Sequence, residues 1–198
     1  MLGVIDIGTG NLGSVSKLLN ALGEKHILVR EPKDFNELDK IIFPGVGDFT
    51  ATVDRLHKAK LFSCLQDYLR ANKPYLGICL GMQLLARESD ERGGQGLGII
   101  NARVERIKER RDYPVPHIGW NQVHHEGTGL FRGIPLHADF YFVHSYYMNI
   151  QEHYQNYCVT YGSDYTSFIQ HGSIFGVQFH PEKSQSYGKA LIRNFIYA

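Results

Sequence analysis

Short apolar runs alternate with helix-spaced apolar positions through the first half of the chain. Gly3 to Ile7 reads as a buried strand. Leu12 to Leu22 follows as a helix, with Val15, Leu18, Leu19 and Leu22 on one face. His26 to Val29 predicts a second strand, and Lys40 to Phe43 a third that Pro44-Gly45 should break. Phe49 to His57 and Leu61 to Ala71 carry helical spacing. Pro74 to Ile78 is the next strand and runs into Cys79, beyond which Met82 to Ala86 is helix-like. Strands alternating with helices predict an α/β fold, with an open, mostly parallel sheet flanked by helices.

The pattern then changes. Ala102 to Ile107, Val123 to His125, Asp139 to Val143, Tyr157 to Tyr161, Ser167 to Gln170 and Ile174 to Phe179 are short and rich in β-branched or aromatic residues. They predict strands joined by tight loops, an added and partly antiparallel portion. Tyr187 to Tyr197 closes the chain as a helix. With no repeat, low-complexity tract or linker, residues 1–198 read as one domain.

Composition narrows the function classes. Apolar residues make up 43% and charged residues 21% of 198 positions, as in an ordinary globule with a sizeable core. A formal net charge of +1 argues against nucleic acid or membrane as the main partner. No apolar run approaches the roughly 20 residues of a membrane span. The chain enters its first strand without a leader pattern. Cys64, Cys79 and Cys158 are odd in number and widely spaced, which suits a reducing cytoplasm rather than disulfides or a zinc site. No metal or other cofactor is expected.

Gly77-Ile78-Cys79-Leu80-Gly81 places a Cys between two glycines at a strand-to-helix junction. A sharp turn there can expose a nucleophile, and the N-terminus of the following helix favours a thiolate. A Cys nucleophile needs a base, and the base an orienting group. Among ten histidines, His180 stands at the end of an apolar strand, where Pro181 stops the strand and Glu182 can fold back onto the imidazole. Pro44 to Phe49 is a second strand end with two glycines. Its backbone, with the N–H of Leu80, can stabilise an oxyanion. Each motif alone also reads as plain structure: a packed Cys, a solvated His-Pro-Glu loop, a Gly-rich turn.

Gly8-Thr9-Gly10-Asn11-Leu12-Gly13 competes as a dinucleotide fingerprint, with Glu31 as its ribose-binding acid. The motif is common, and nothing downstream supplies a hydride-transfer site. Arg103, Arg106, Lys108, Arg110 and Arg111 read as a solvated basic face or a contact for an acidic surface. His117, His124, His125, His137 and His144 lack metal-ligand spacing and read as structural or site-lining.

With Pro44-Gly45-Val46-Gly47, Gly77 to Gln83 and Phe179-His180-Pro181-Glu182 in that order, the chain resembles the class I (triad) glutamine amidotransferases. His117-Ile118-Gly119-Trp120-Asn121 and Tyr141 to Tyr146 are similar to the glutaminase subunits of imidazole glycerol phosphate synthases, which act in histidine biosynthesis. The resemblance implies that Cys79 attacks the amide of L-glutamine, that His180 serves as acid and base, and that Glu182 orients His180. It implies oxyanion donors from Gly47 and Leu80, with the Val46–Gly47 peptide able to flip. Gln83, Glu91, Ser145 and Tyr146 match glutamine-holding positions. Trp120, Tyr141 and Lys183 match positions that face the cyclase subunit of a heterodimer, which is a separate (β/α)₈ barrel. Ammonia would pass into that barrel, and the chain alone would be nearly inactive. Ile7 departs from the Tyr usual in these subunits. That keeps open a paralogue that supplies ammonia to a surface-sugar amidotransferase.

Overall fold

The computed structural model describes residues 1–198. The first half runs β1 (Leu2–Ile5), α1 (Leu12–Ala21), β2 (His26–Val29), β3 (Lys40–Gly45), α2 (Phe49–Lys58), α3 (Leu61–Arg70), β4 (Tyr75–Cys79) and α4 (Leu80–Gln83). The second half runs β5 (Glu88–Ser89), β6 (Ala102–Arg106), β7 (His117–His124), β8 (Asp139–His144), β9 (Tyr146–Ile150), β10 (Gln155–Thr160), β11 (Asp164–His171), β12 (Ile174–Val177) and α5 (Gln185–Ile196). Nine strands form one sheet in the order β2-β1-β3-β4-β12-β11-β10-β7-β8. The stretch from β2 to β12 is parallel, and from β12 to β8 each neighbour is antiparallel. A small sheet of β5, β6 and β9 lies apart. This is the α/β architecture that the alternating pattern predicts, with the antiparallel portion added at one side.

Both faces of the parallel part are covered, because neighbouring apolar residues along each strand point to opposite sides. Val4, Ile42, Leu76 and Ile78 pack with α1 and α5 through Val15, Leu19, Leu191, Ile192 and Phe195. Ile5, Ile41, Phe43 and Tyr75 pack with α2, α3 and the small sheet through Val53, Leu56, Leu65, Val104 and Met148. No helix is long and apolar enough to cross a membrane.

Three expectations need correction. β3 does not break at Pro44-Gly45. It continues, pairing Pro44 with Ile78 and Gly45 with Cys79, because its ladder to β1 ends at Ile42 and leaves no partner there for the missing N–H. The helix after Cys79 is a single turn, since the carbonyls of Leu84, Leu85 and Ala86 accept from Leu97, Gly98, Ile99 and Ile100 instead of extending it. A helix that short carries little macrodipole toward the sulfur. Finally, β9 and residues 117–122 of β7 form strands that the apolar pattern does not predict.

Candidate active site

The sheet register brings the predicted residues together. Cys79 ends β4, Gly45 ends β3 beside it, and Val177 of β12 pairs with Ile78. The carboxyl ends of three adjacent parallel strands therefore share one crevice. Cys79 takes φ 52° and ψ −108°, a strained conformation for a residue with a side chain. Close packing enforces the turn. A Cβ on Gly81 would lie 2.0 Å from the Phe43 carbonyl oxygen, and one on Gly77 2.4 Å from that of Gly81.

The short turn Pro181–Lys183 folds Glu182 back onto His180. Glu182 Oε1 lies 2.8 Å from His180 Nδ1, and because a carboxylate only accepts, Nδ1 donates. Both side chains are buried. Burial disfavours the charged imidazole, but the Cys79 sulfur and the Glu182 carboxylate outweigh it, and the His180 pKa is raised. Burial likewise opposes the Glu182 charge, but His180 and Asn11 overcome it and the carboxyl pKa is lowered. His180 Nε2 is buried and makes no hydrogen bond of normal geometry, although the sulfur is near enough to raise the ring's proton affinity. The sulfur instead lies 3.5 Å from Gln178 Nε2 and 4.0 Å from the Val143 carbonyl oxygen.

Val46, Gly47, Leu80, Gln83, Glu91, Ser145 and Tyr146 all line one pocket of about 440 Å³ with Cys79. Pro116, Val143 and His144 complete its wall. Gly47 has φ 115°, a glycine conformation, and Leu80 opens α4 with its N–H among the helix's first donors. Gln83 is buried and donates to the Tyr146 carbonyl and to Gln178 Oε1, both at 2.9 Å. Glu91 Oε2 accepts from Phe49 N at 2.8 Å, and partial burial raises its pKa.

Trp120, Tyr141 and Lys183 lie together outside this pocket. Trp120 and Tyr141 are cross-strand partners with ring centroids 5.9 Å apart, and Lys183 Nζ sits 5.4 Å from the Tyr141 ring. Trp120 is 47% and Ile118 59% exposed, an apolar patch on β7. The Tyr141 backbone reaches the triad. Its carbonyl accepts from His180 N at 2.8 Å, and its N–H donates to Ser184 Oγ at 3.0 Å.

The Gly8–Gly13 turn serves this same site. Asn11 Nδ2 donates to Glu182 Oε1 at 3.1 Å, and Gly10 packs against the Pro44 carbonyl. Glu31 caps the short helix Pro32–Glu37 and pairs with Lys33. In the basic run, Arg103 is paired with Glu88 and Asp90, and Arg110 bonds the Gly162 carbonyl and Ser163. Sequence reasoning missed Asn11 and Gln178. A lone Gln between Val177 and Phe179 in a buried strand end was the available signal for the latter.

The family model described as glutamine amidotransferase class-I matches residues 3–198. The chain belongs to the class-I glutamine amidotransferase family. Its full-length relatives narrow that class. It is 38% identical to imidazole glycerol phosphate synthase subunit HisH 1 of Campylobacter jejuni strain RM1221, with 99% of each chain covered. It is 42% identical to subunit HisH of Moorella thermoacetica, covering 98% of this chain and 93% of the relative. Among solved structures, a glutamine amidotransferase from Thermotoga maritima has the same fold, with a TM-score of 0.68 at 20% identity over 99% of this chain and 82% of that one.

Proposed function

We propose that this chain, as one unit spanning residues 1–198, is the glutaminase subunit of an imidazole glycerol phosphate synthase of the cytoplasm. It hydrolyses the side-chain amide of L-glutamine and passes the ammonia to a cyclase subunit, which makes imidazole glycerol phosphate and an aminoimidazole carboxamide ribotide. The observation that carries the reading is a strained Cys79 that lines the pocket and lies near enough to the buried His180–Glu182 pair to raise the ring's pKa, in a chain matched end to end by such subunits.

The chemistry follows from the groups present. The Cys79 sulfur attacks the amide carbon, and the carbonyl oxygen becomes an oxyanion that takes hydrogen bonds from Leu80 N–H and from the Gly47 loop. His180 Nε2 donates its proton to the amide nitrogen, the C–N bond breaks, and ammonia leaves a glutamyl thioester. The neutral imidazole then takes a proton from water, the hydroxyl adds to the thioester, and the C–S bond breaks to release glutamate. Glu182 holds Nδ1 as the donor throughout. Gln83, Glu91, Ser145 and Tyr146 frame the glutamine, and no metal or cofactor is needed for these steps. Trp120, Tyr141 and Lys183 form the docking face for the cyclase barrel.

The test measures glutamine hydrolysis by the chain alone and with a cyclase subunit carrying its ligand. We expect stimulation of about 10² or more, the scale of gaining one oxyanion donor. Cys79→Ala should lose at least about 10³ of the rate in both settings. Failure of the cyclase to stimulate, or retained hydrolysis in Cys79→Ala, overturns the reading. The sugar-amidating alternative finds no support in Ile7, which packs into the core on the α2 and α3 side of the sheet. The dinucleotide alternative is weakened because Asn11 and Gly10 are engaged with Glu182 and Pro44.

A further inference from the structure

Gln178 is fully buried, touches Cys79, and has no part in the chemistry above. Its amide ends a chain of hydrogen bonds whose direction is set at the far end. The Tyr146 carbonyl can only accept, so Gln83 Nε2 donates to it at 2.9 Å. The second hydrogen on that nitrogen goes to Gln178 Oε1 at 2.9 Å. Gln178 must therefore present its NH₂ to the other side, where the Cys79 sulfur lies 3.5 Å away. A flipped Gln178 amide would set two NH₂ groups against each other in a buried site, at the cost of unsatisfied donors. His144 Nδ1 also donates to the Tyr146 carbonyl, at 2.8 Å, which pins the start of the chain.

Resting on the reading of Cys79 as nucleophile, we propose that Gln178 is a positioning residue: a one-way relay from the Tyr146 carbonyl through Gln83 ends on the Cys79 sulfur and holds that sulfur as a hydrogen-bond acceptor. A thiolate accepts more strongly than a thiol, so the relay favours the reactive form.

The experiment follows alkylation of Cys79 by iodoacetamide as a function of pH, read by mass spectrometry in a Cys64→Ser, Cys158→Ser background. Gln178→Met keeps the volume but removes the donor, and the alkylation midpoint should rise by about one pH unit. Gln178→Glu keeps the acceptor for Gln83 but brings a carboxylate to the sulfur, and the midpoint should rise further. Gln83→Leu frees the Gln178 amide to turn and should move the midpoint the same way by less. Thermal melts report any packing loss separately, and a purely structural role would lower the melt without moving the midpoint. The inference is overturned if the variants that fold alkylate with the wild-type midpoint. It is likewise overturned if none of the three folds, since Gln178 then acts in packing rather than on the sulfur. Glutamine hydrolysis surviving in Cys79→Ala would instead remove the nucleophile reading on which it rests.

Discussion

Glu182 gathers two donors on one carboxylate oxygen, His180 Nδ1 at 2.8 Å and Asn11 Nδ2 at 3.1 Å, while its Oε2 has no partner. That arrangement supports the orienting role proposed for Glu182. Glu182→Gln keeps the shape but offers either an NH₂ or an uncharged oxygen to the ring. We expect glutamine turnover by the complex to fall roughly 10²–10⁴-fold with KM little changed, as measured by steady-state kinetics. His117 and His144 form a second buried pair, with Nδ1 of His117 3.0 Å from Nε2 of His144. Because the Tyr146 carbonyl makes His144 Nδ1 a donor, His144 Nε2 is the acceptor and His117 the donor. His117 also stacks on Phe142 and Tyr161. These roles were not legible in the chain order, where five histidines between positions 117 and 144 carried no spacing that set two apart.

At the scale of elements, the site depends on loops that touch through backbone alone. Gly10 has φ 102°, and a Cβ there would lie 2.5 Å from the Pro44 carbonyl oxygen. Gly10→Ala should therefore both strain its own turn and push away the strand end that leads to Gly47. Its expected cost is about 2–4 kcal/mol in denaturant unfolding, with loss of glutaminase activity beyond what the lost stability explains. β8 links the outer face to the triad, because the Tyr141 side chain meets Trp120 and Lys183 while its backbone bonds His180 N and Ser184 Oγ. The strand pattern of the parallel half was readable in the chain, since fully apolar strands and one-faced helices repeat there. Around β7 and β9, half-exposed aromatics and polar residues alternate irregularly, and the pairing of Trp120 with Tyr141 emerged only from the register.

For the molecule as a whole, burial holds the His144 pKa down to about 3 and that of His117 to about 4, below the 6.5 of the unfolded chain. The unfolded state binds more protons in that window, so stability falls as pH drops below 6.5. The lowered Glu182 pKa acts in the same sense at lower pH. The raised His180 pKa acts oppositely: its contribution is complete below pH 6.5 and fades as pH climbs through the raised value. Melting temperatures from pH 7 to 4 should therefore fall, and less steeply in His117→Gln, which cannot take the proton. Association with the cyclase subunit should rest on the exposed β7–β8 face. Trp120→Ala is expected to weaken it by at least about 30-fold in titration calorimetry, while the free chain's melt stays within about 2 °C of wild type.

Chain order alone marked Cys79, His180 and Glu182, the residues proposed as nucleophile, base and orienting acid, because glycine, proline and apolar runs mark strand ends locally and functional groups collect there. It also determined the alternation that builds a parallel sheet. Tertiary structure decided what no local pattern encodes: which strand ends are neighbours, that Asn11 backs Glu182, and that Gln178 faces the sulfur. The physical reason is that a hydrogen bond between residues 99 positions apart, such as Gln178 to Cys79, exists only through the register of β12 on β4. Side chains far apart in the chain carry no mark of that meeting.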